Sequence, residues 1–419
     1  MIEIRPAPSI NTAVEVPGSK SYTHRILIAS ALSDGECFIQ NRLKSEDTEL
    51  TLNALQQMGV AAEEIGGGLK IHGTGGRLTG GSEIFLGNSG TSMRLLTSVI
   101  ALAEGETLLT GTDRMKERPV ADLLEGLTQI GVKAQSVNGN GCPPVAVRGG
   151  SLQGGRIALK CGLSSQFLSG LLLIGPYTRE GLEIEVVEGP VSKPYIDLTL
   201  EVMERLGVPA ERRGYERFFV AGNRIYRAGP YTVETDASNA SYFWGAAAIT
   251  GGTVTVRHID LATKQGDIRI LECFQRMGCR VAESGGGVAV TGGPLSAIEV
   301  DMADMPDMVP TLAVVAAFAD GRTVIRNVAH LRAKESDRLA AVAAELTKMA
   351  ISVTEQEDGL IIQGGSPKGA RIDTYDDHRI AMSFAMAGLR VPGVMIEEER
   401  CVDKSFPDFW RVFEGMNIP

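Results

Sequence analysis

The sequence predicts an α/β protein of two similar domains, each built from three βαβαββ repeat units. Three observations support this prediction. An amphipathic helix recurs about every seventy residues. Each period also contains a second helix that is apolar on nearly every side, and five of the six amphipathic helices are followed by a hairpin-like segment. At 419 residues, the chain is long enough for at least two hydrophobic cores.

The amphipathic helix ends each time in an apolar residue followed by a Gly-Val-like pair. That apolar residue stands at Met58, Ile130, Leu206, Met277, Met349 and Met416. Another apolar residue lies three positions earlier in every copy, at Leu55, Leu127, Met203, Phe274, Leu346 and Phe413. This is the one-face spacing of a packed helix. Four copies continue with glycine and the last with Asn417, residue types that tolerate the left-handed conformation closing many helices.

Five copies continue with a short alternating segment, a Gly-rich or polar turn and a second such segment. AAEEIGGGLKIHG and RVAESGGGVAVTG show the pattern most clearly, and they predict β hairpins. The sixth copy has no room for a hairpin before residue 419. We therefore expect residues 1–10 to supply the missing strand to the last unit.

The second helix of each unit should be buried, because it is apolar on nearly every side. Its six copies read ILIASAL, LLTSVIALA, FLSGLLLI, YFWGAAAI, TLAVVAAFA and IAMSFAMAGL. Three units in each half give one domain at residues 20–230 and another at residues 1–19 plus 231–419. Two crossovers, near residues 17–20 and 229–233, would join these domains.

Composition excludes several classes of protein. A formal net charge of −10 disfavours a nucleic-acid or anionic-membrane partner. No apolar run approaches the ~18 residues of a membrane span, and no signal-like segment precedes the first strand. The six cysteines lack metal-ligand spacing and are expected to be reduced and mostly buried. The expected location is the cytoplasm.

Polar segments precede all six apolar helices. They read PGSKSYTHR, LGNSGTSMR, CGLSSQ, TDASNAS, DMPDM and YDDHR, centred on Lys20, Gly90, Ser165, Ser238, Asp307 and His378. A helix N-terminus offers unsatisfied N–H groups and the positive end of the dipole, which suit phosphate or carboxylate. Ordinary N-capping explains the Ser, Asn and Asp residues. It does not explain the cations beside them, which are Lys20, Arg25, Arg94 and Arg379.

Further cations stand in Gly- or Pro-punctuated contexts, at Arg114, Lys116, Arg118, Lys193, Arg332, Lys334, Arg338 and Lys404. Each run alone is typical of a solvated face. If several converge, the ligand carries more than one negative charge, because Arg and Lys are the usual partners of phosphate and carboxylate.

Two acids, Asp307 and Glu335, fall among these cations. A carboxylate beside cations has a lowered pKa and can act as a general base. A salt bridge within KESDR explains Glu335 equally well, so both interpretations stay open. Lys20 among other cations could be an acid with a depressed pKa.

The ordered set PGSKSYTHR, LGNSGTSMR, RMKERP, SSQF, VSKPYIDLT, KESDRL, DDHRIAM and DKSFP resembles the 5-enolpyruvylshikimate-3-phosphate synthase family of enolpyruvyl transferases. The resemblance covers essentially the whole chain. It implies the inside-out, barrel-like α/β fold of that family, with two domains that close on their substrates at two hinge crossovers.

The resemblance also implies the reaction. The enolpyruvyl group of phosphoenolpyruvate moves to the 5-hydroxyl of shikimate 3-phosphate, and phosphate leaves through a tetrahedral intermediate, on the way to chorismate and the aromatic amino acids. The family uses neither a metal nor an organic cofactor. The implied partners are the two small substrates, with no nucleic acid and no membrane, and the expected state is a monomer.

Site residues follow from the same resemblance. The implied proton-transfer residues are Lys20, Asp307 and Glu335. The implied shikimate 3-phosphate ligands are Lys20, Ser21, Arg25, Ser164, Ser165, Gln166, Ser192, Tyr195, Asp307 and Lys334. The implied phosphoenolpyruvate ligands are Lys20, Asn88, Gly90, Thr91, Arg118, Gln166, Arg338, His378, Arg379 and Lys404. Gly90 leaves space for glyphosate, so inhibition by that compound is expected.

Two other functions compete with this one. A related transferase acts on UDP-N-acetylglucosamine and uses a reactive cysteine on a mobile loop, but RMKERP contains no cysteine and Cys142 looks like a strand-edge residue. SSQ and SKPY also favour shikimate phosphate. A repeat-built scaffold or nucleic-acid clamp is disfavoured by the negative net charge and by acids placed among cations.

Overall fold

A computed structural model describes residues 1–7 and 10–416, and the chain in it forms two compact units. Unit I is Gly18–Val233, and unit II is Met1–Pro17 with Glu234–Pro419. The sequence placed the boundaries at residues 19/20 and 230/231. In the structure the strand Pro230–Thr232 belongs to unit I because it pairs with residues 38–40 of that unit.

The helices of the described residues are of the two predicted kinds. Those carrying the apolar segments are α1 Lys20–Leu32, α3 Gly90–Val99, α5 Gln166–Ile174, α7 Ala237–Thr250, α9 Val309–Ala316 and α11 His378–Gly388. Those with the recurring amphipathic pattern are α2 Glu46–Gln57, α4 Ala121–Gln129, α6 Pro194–Arg205, α8 Ile270–Arg276, α10 Arg338–Lys348 and α12 Phe409–Gly415. The first group is buried along nearly its whole length, as predicted.

Each amphipathic helix ends one residue before the apolar position that the repeat marked. The C-cap residues are Met58, Ile130, Leu206, Met277, Met349 and Met416. The apolar residues three positions earlier are all buried. The helix repeat is therefore confirmed, while Asn417 lies outside the described residues.

The strands of the described residues are short. They are β1 Ile2–Glu3, β2 Asn11–Val14, β3 Glu36–Gln40, β4 Ala61–Ile65, β5 Gly68–His72, β6 Leu78–Thr79, β7 Glu83–Phe85, β8 Ala103–Thr110, β9 Lys133–Ser136, β10 Val145–Gly149, β11 Gly155–Lys160, β12 Leu182–Glu188, β13 Glu211–Arg213, β14 Arg217–Val220, β15 Pro230–Thr232, β16 Thr253–Arg257, β17 Arg280–Ser284, β18 Gly287–Thr291, β19 Glu299–Asp301, β20 Arg322–Arg326, β21 Ser352–Gln356, β22 Gly359–Gln363, β23 Arg371–Ile372 and β24 Met395–Ile396.

The described residues of each unit form three small sheets, and five of these six sheets share one strand arrangement. In unit I the orders are β15-β3-β5-β4, β6-β8-β10-β9 with β7 also beside β8, and β11-β12-β14-β13. In unit II they are β17-β18-β16-β2, β19-β20-β22-β21 and β1-β24-β23. A parallel pair is extended by an antiparallel hairpin in five of the six sheets, so the five predicted hairpins are confirmed.

The sixth sheet has no hairpin and takes its antiparallel strand from the start of the chain. β1 pairs antiparallel with β24, with Ile2 opposite Ile396. The prediction for residues 1–10 is thus confirmed at Ile2–Glu3, while Pro8 and Ser9 lie outside the described residues. β2 follows in chain order and pairs with β16, so the start of the chain contributes to two sheets of unit II.

The six cysteines are free thiols, five of them buried, as expected. Within residues 1–7 and 10–416, no helix has both the length and the apolar character needed to cross a bilayer.

The repeat generates a reciprocal stability prediction at the residue that follows the C-cap of each amphipathic helix. Gly131 has φ +85° there, and a Cβ added to it would meet nothing within 4 Å, whereas Ala350 occupies the same place in its own copy with φ +63°. Ala350→Gly should raise the free energy of unfolding by up to about 1 kcal/mol, and Gly131→Ala should lower it by about as much. Urea midpoints measured side by side check this, and shifts of the same sign in both variants would contradict it.

Candidate active site

The start of α1 in unit I holds a cation against a carboxylate. Ser19 caps the helix by accepting the N–H of Tyr22. The Nζ of Lys20 lies 3.0 Å from Oδ2 of Asp47. Asp47 stands at the start of α2, and its side chain is almost fully buried. Sequence reasoning placed Lys20 among cations and missed Asp47. Only tertiary packing brings the two together, because 27 residues separate them.

Arg25 is buried in unit I among neutral acceptors. Its guanidinium donates to Thr199 Oγ1 at 2.7 Å, Ser169 Oγ at 3.3 Å, and the carbonyls of Ser21 and Tyr195 at 2.9 and 3.1 Å. In the described part of the chain, no carboxylate accepts a hydrogen bond from it. Burial lowers the pKa of Arg25 to about 10. A buried cation without an acidic partner is well suited to an anionic ligand.

The starts of α3 and α5 are joined through Gln166. Its amide nitrogen donates to Thr91 Oγ1 at 2.9 Å, and its oxygen accepts from Arg94 at 3.0 Å. Its backbone N–H donates to Ser164 Oγ at 3.2 Å. Arg94, to which the resemblance assigned no role, therefore orients Gln166. Ser165 is buried beside them but does not cap α5 with its side chain.

Arg118 is the one cation of RMKERP that the structure buries. Its Nη1 donates to the carbonyl and the side-chain oxygen of Asn88 at 2.9 and 3.1 Å. A Cβ added at Gly90 would lie 2.3 Å from its Nη2, so glycine is needed there for the close approach. Arg114 and Lys116 instead form exposed ion pairs within their own turn, as on a solvated face.

The remaining sequence-predicted residues of unit I lie near α6. Ser192 is buried two residues before the helix and has φ +55°. Tyr195 is in its first turn and accepts from Arg25. Lys193 lies over the ring of Tyr215, 5.4 Å from the ring centre.

In unit II, Asp307 is surrounded by three cations. Arg338 Nη1 lies 2.8 Å from its Oδ1, Arg379 Nη2 lies 2.7 Å from its Oδ2, and Lys334 Nζ lies 3.8 Å from its Oδ1. Burial alone would raise the pKa of Asp307, but Arg379, Lys334 and Arg338 outweigh it and hold that pKa well below its usual range. The predicted placement of this acid among cations is confirmed.

Arg338, the first residue of α10, is shared by three carboxylates. Besides Asp307, it contacts two further carboxylates. Its Nη2 donates to Glu335 at 2.8 Å, and its Nε and Nη2 donate to Asp377 at 2.8 and 3.2 Å. Burial would lower the pKa of Arg338, but Asp377, Glu335 and Asp307 raise it above its ordinary value. The salt bridge that was one interpretation of Glu335 is therefore present. Asp377 was not predicted as a site residue.

α11 contributes His378 and Arg379 at its start. Asp377 caps the helix by accepting the N–H of Arg379 at 3.0 Å, and the buried ring of His378 lies 3.7 Å from the Asp377 carboxylate. Arg379 also donates to the hydroxyl of Tyr242 in α7 at 3.3 Å. Burial raises the pKa of Tyr242 to about 12, so its hydroxyl is neutral.

Lys404 is buried at the end of a 3₁₀ turn, Glu399–Lys404. Burial raises the pKa of Asp376, and the positive charge of Lys404 opposes this rise. The next residue, Ser405, is held by α7, because the side chain of Asn239 donates to its carbonyl at 3.2 Å.

Asp267 is a buried acid near Asp307 that the sequence did not single out. Its carboxylate accepts the hydroxyl of Ser238, the centre of the TDASNAS segment. Burial raises the pKa of Asp267 to about 6, and the negative charge of Asp307 adds to this while Arg379 opposes it. Nothing in QGDIR distinguishes this acid from an ordinary helix-start residue.

Chemically, the two sets of residues offer what an addition and elimination on anionic substrates needs. Unit I supplies buried cations and helix starts for anions. Unit II supplies an ionised carboxylate next to cations, a group that can hold a proton or stabilise a positive centre. Among the described residues, no group of three or more His, Cys, Asp or Glu side chains has an arrangement that could hold a metal ion.

Two separate buried groups, Asp267 and His330, generate a pH prediction. Asp267 is raised from 3.8 to about 6, so the folded state binds an extra proton and its contribution to stability falls as pH rises through that window. Burial, helped by Lys334, lowers the pKa of His330 from 6.5 to about 4, so its contribution falls as pH drops through that window.

The two contributions oppose each other, and single variants should separate them. Between pH 4 and 6, the unfolding free energy should rise more steeply with pH than wild type in Asp267→Asn and less steeply in His330→Gln. Each difference should reach up to about 3 kcal/mol across the window. Urea midpoints at half-unit pH steps measure it, and curves parallel to wild type would refute the assignment.

Comparison with known proteins identifies the family of the chain. A family model described as EPSP synthase (3-phosphoshikimate 1-carboxyvinyltransferase) matches residues 4–413. The 3-phosphoshikimate 1-carboxyvinyltransferase of Syntrophobacter fumaroxidans is 44% identical over 418 residues, covering 99% of both chains. The chloroplastic protein of the same name from Arabidopsis thaliana is 41% identical over 99% of this chain and 84% of its own.

Solved structures agree. One of EPSP synthase from Acinetobacter baumannii matches with a TM-score of 0.81 at 31% identity, over 99% of this chain and 97% of that one. This likeness confirms the predicted fold class. The chain belongs to the EPSP synthase (3-phosphoshikimate 1-carboxyvinyltransferase) family.

Proposed function

We propose that the protein transfers the enolpyruvyl group of phosphoenolpyruvate to the 5-hydroxyl of shikimate 3-phosphate and releases phosphate. The observation that supports this most strongly is the carboxylate of Asp307, held ionised between Arg338, Arg379 and Lys334 in a chain of this family. We also propose that it works as a monomer in the cytoplasm on these two small molecules alone.

The proposed shikimate 3-phosphate ligands lie mostly in unit I. Arg25 supports this part of the proposal, because its buried charge meets only neutral acceptors and would be balanced by the phosphate. Ser21 and Tyr195 lie against it through their carbonyls. The full proposed set is Lys20, Ser21, Arg25, Ser164, Ser165, Gln166, Ser192 and Tyr195, with Asp307 and Lys334 of unit II.

The proposed phosphoenolpyruvate ligands come from both units. In unit I, Arg118 is oriented by Asn88 and approaches the start of α3 at Gly90. In unit II, Asp377 orients the guanidinium of Arg338, whereas Asp307 and the hydroxyl of Tyr242 orient that of Arg379. The full proposed set is Lys20, Asn88, Gly90, Thr91, Arg118, Gln166, Arg338, His378, Arg379 and Lys404.

The addition and the elimination each require one proton to be delivered and another removed, the second delivered proton going to the departing phosphate. Protonation of the methylene carbon of phosphoenolpyruvate creates a cation-like carbon, which the 5-hydroxyl attacks as it loses its own proton. The resulting tetrahedral ketal phosphate then loses a methyl proton and phosphate, which restores the double bond. We propose Lys20, Asp307 and Glu335 as the groups that exchange these protons, and an ionised Asp307 suits stabilisation of the positive carbon.

Titration calorimetry tests the proposed substrates directly. Shikimate 3-phosphate should bind alone, and glyphosate should then bind to the shikimate 3-phosphate complex. Binding of UDP-N-acetylglucosamine instead would indicate the related transferase. Binding of none of these ligands would favour a scaffold and overturn the proposal.

Gly90→Ala should weaken glyphosate binding in the second titration and raise the KM for phosphoenolpyruvate. The added methyl would lie 2.3 Å from Arg118 Nη2 and must displace that guanidinium, which predicts effects of about tenfold or more. Gly415→Ala is the matched control, because a Cβ there meets nothing within 4 Å. Unchanged glyphosate affinity in Gly90→Ala would contradict the assignment.

Lys20→Met should abolish turnover while the fold survives, because the proposal gives its ammonium contacts to both substrates. We expect kcat/KM to fall by about a thousandfold or more, with the circular dichroism spectrum unchanged. Lys70→Met is the control, since Lys70 forms a comparable 2.9 Å ion pair with Glu36 on a sheet of the same unit. Normal activity in Lys20→Met would exclude this role.

A further inference from the structure

The segment leading into α11 contains a turn whose backbone does not suit one of its residues. The N–H of Asp377 donates to the carbonyl of Thr374 at 2.8 Å, and both central residues, Tyr375 and Asp376, have positive φ, +54° and +52°. Turns with two such residues favour Asn, Asp and Gly, so Asp376 suits its place and Tyr375 does not. A tyrosine stays there only where the surrounding structure holds it.

α10 supplies that restraint through Glu345, which is fully buried. One carboxylate oxygen accepts the hydroxyl of Tyr375 at 2.7 Å, and the other accepts the N–H of Asp373 at 3.1 Å. The carboxylate of Asp373 in turn accepts the N–H of Tyr375 at 3.0 Å. Lys348 lies 2.8 Å from Glu345 and balances its charge.

The far end of the turn carries Asp377, which contacts the side chain of Arg338 and the backbone of Arg379. Asp377 accepts Nε and Nη2 of Arg338 and the N–H of Arg379. Arg338 begins α10, and Glu345 lies about two helical turns later on the same helix. The segment is therefore fastened to α10 at both ends, by Arg338 at Asp377 and by Glu345 at Asp373 and Tyr375.

We propose that Glu345 and Tyr375 are positioning residues that fix Asp377 and, through it, the guanidinium of Arg338 and the backbone of Arg379 at the start of α11. The inference rests on the proposed function, which makes both arginines phosphoenolpyruvate ligands. Glu345 holds the turn through Asp373 and Tyr375, at the end opposite to Asp377. The effect of the two positioning residues therefore passes through the strained turn, which cannot shift without moving Asp377.

Tyr375→Phe is the most direct test, because it removes one hydroxyl from a side chain that is 38% exposed and opens no core cavity. We expect the KM for phosphoenolpyruvate to rise about tenfold, as suits a lost hydrogen bond to a carboxylate. The KM for shikimate 3-phosphate, kcat and the thermal midpoint should change little. Glu345→Gln should act in the same direction.

Tyr375→Gly separates an effect on the position of the turn from the simple loss of the hydroxyl contact with Glu345. It lacks the same hydroxyl, but glycine adopts positive φ without strain. Its KM for phosphoenolpyruvate should therefore lie between wild type and Tyr375→Phe. The matched control is Tyr215→Phe in unit I, where the hydroxyl also donates to a carboxylate, that of Asp197, at 2.7 Å; its KM for phosphoenolpyruvate should equal wild type.

The outcomes are distinguishable. An active wild type with an unchanged KM in Tyr375→Phe overturns the inference alone, and so does a lowered thermal midpoint without a change in KM. A wild type that transfers no enolpyruvyl group overturns the proposed function and this inference with it. A selective rise in the KM for phosphoenolpyruvate, partly reversed by glycine, supports the positioning role.

Discussion

Burial of the six apolar helices is the constraint on which the rest of the structure depends. A helix that is apolar on nearly every side cannot be covered by its own small sheet, so it must pack against the helices of neighbouring repeats. In unit II, α7, α9 and α11 pack on one another in this way. The first N–H groups of each such helix need partners, and the polar segments at these helix starts carry many of the residues proposed for the site.

The two units balance buried charge differently. In unit I, Arg25 is desolvated among hydroxyl and carbonyl groups. In unit II, Arg338 shares its donors among three carboxylates, and Arg379 is paired with Asp307. Because a buried charge costs more when it has no ionic partner, the proposed binding of a phosphate would balance charge in unit I, whereas the cations around Asp307 in unit II already have carboxylate partners.

The repeat made most of the fold predictable, because helix ends and hairpins are encoded locally. The six C-cap positions and the strand supplied by Ile2–Glu3 follow from periodicity. The site was predictable only in part. Arg114 and Arg118 look alike in RMKERP, yet tertiary packing exposes the first and buries the second against Asn88. Local sequence holds no signal for such a difference.

The residues that the sequence missed are contact partners of the proposed ligands and of their neighbours. Asp47, Asp267 and Asp377 each accept a hydrogen bond from a group more than twenty residues away in the sequence. A local motif marks the proposed ligands, whereas the groups that orient them depend on which helices pack together. The turn before Asp377 illustrates this, because its two left-handed residues carry no glycine and Glu345 of a different repeat holds them. Precision at such a site therefore depends on contacts between repeats, which no single repeat can encode.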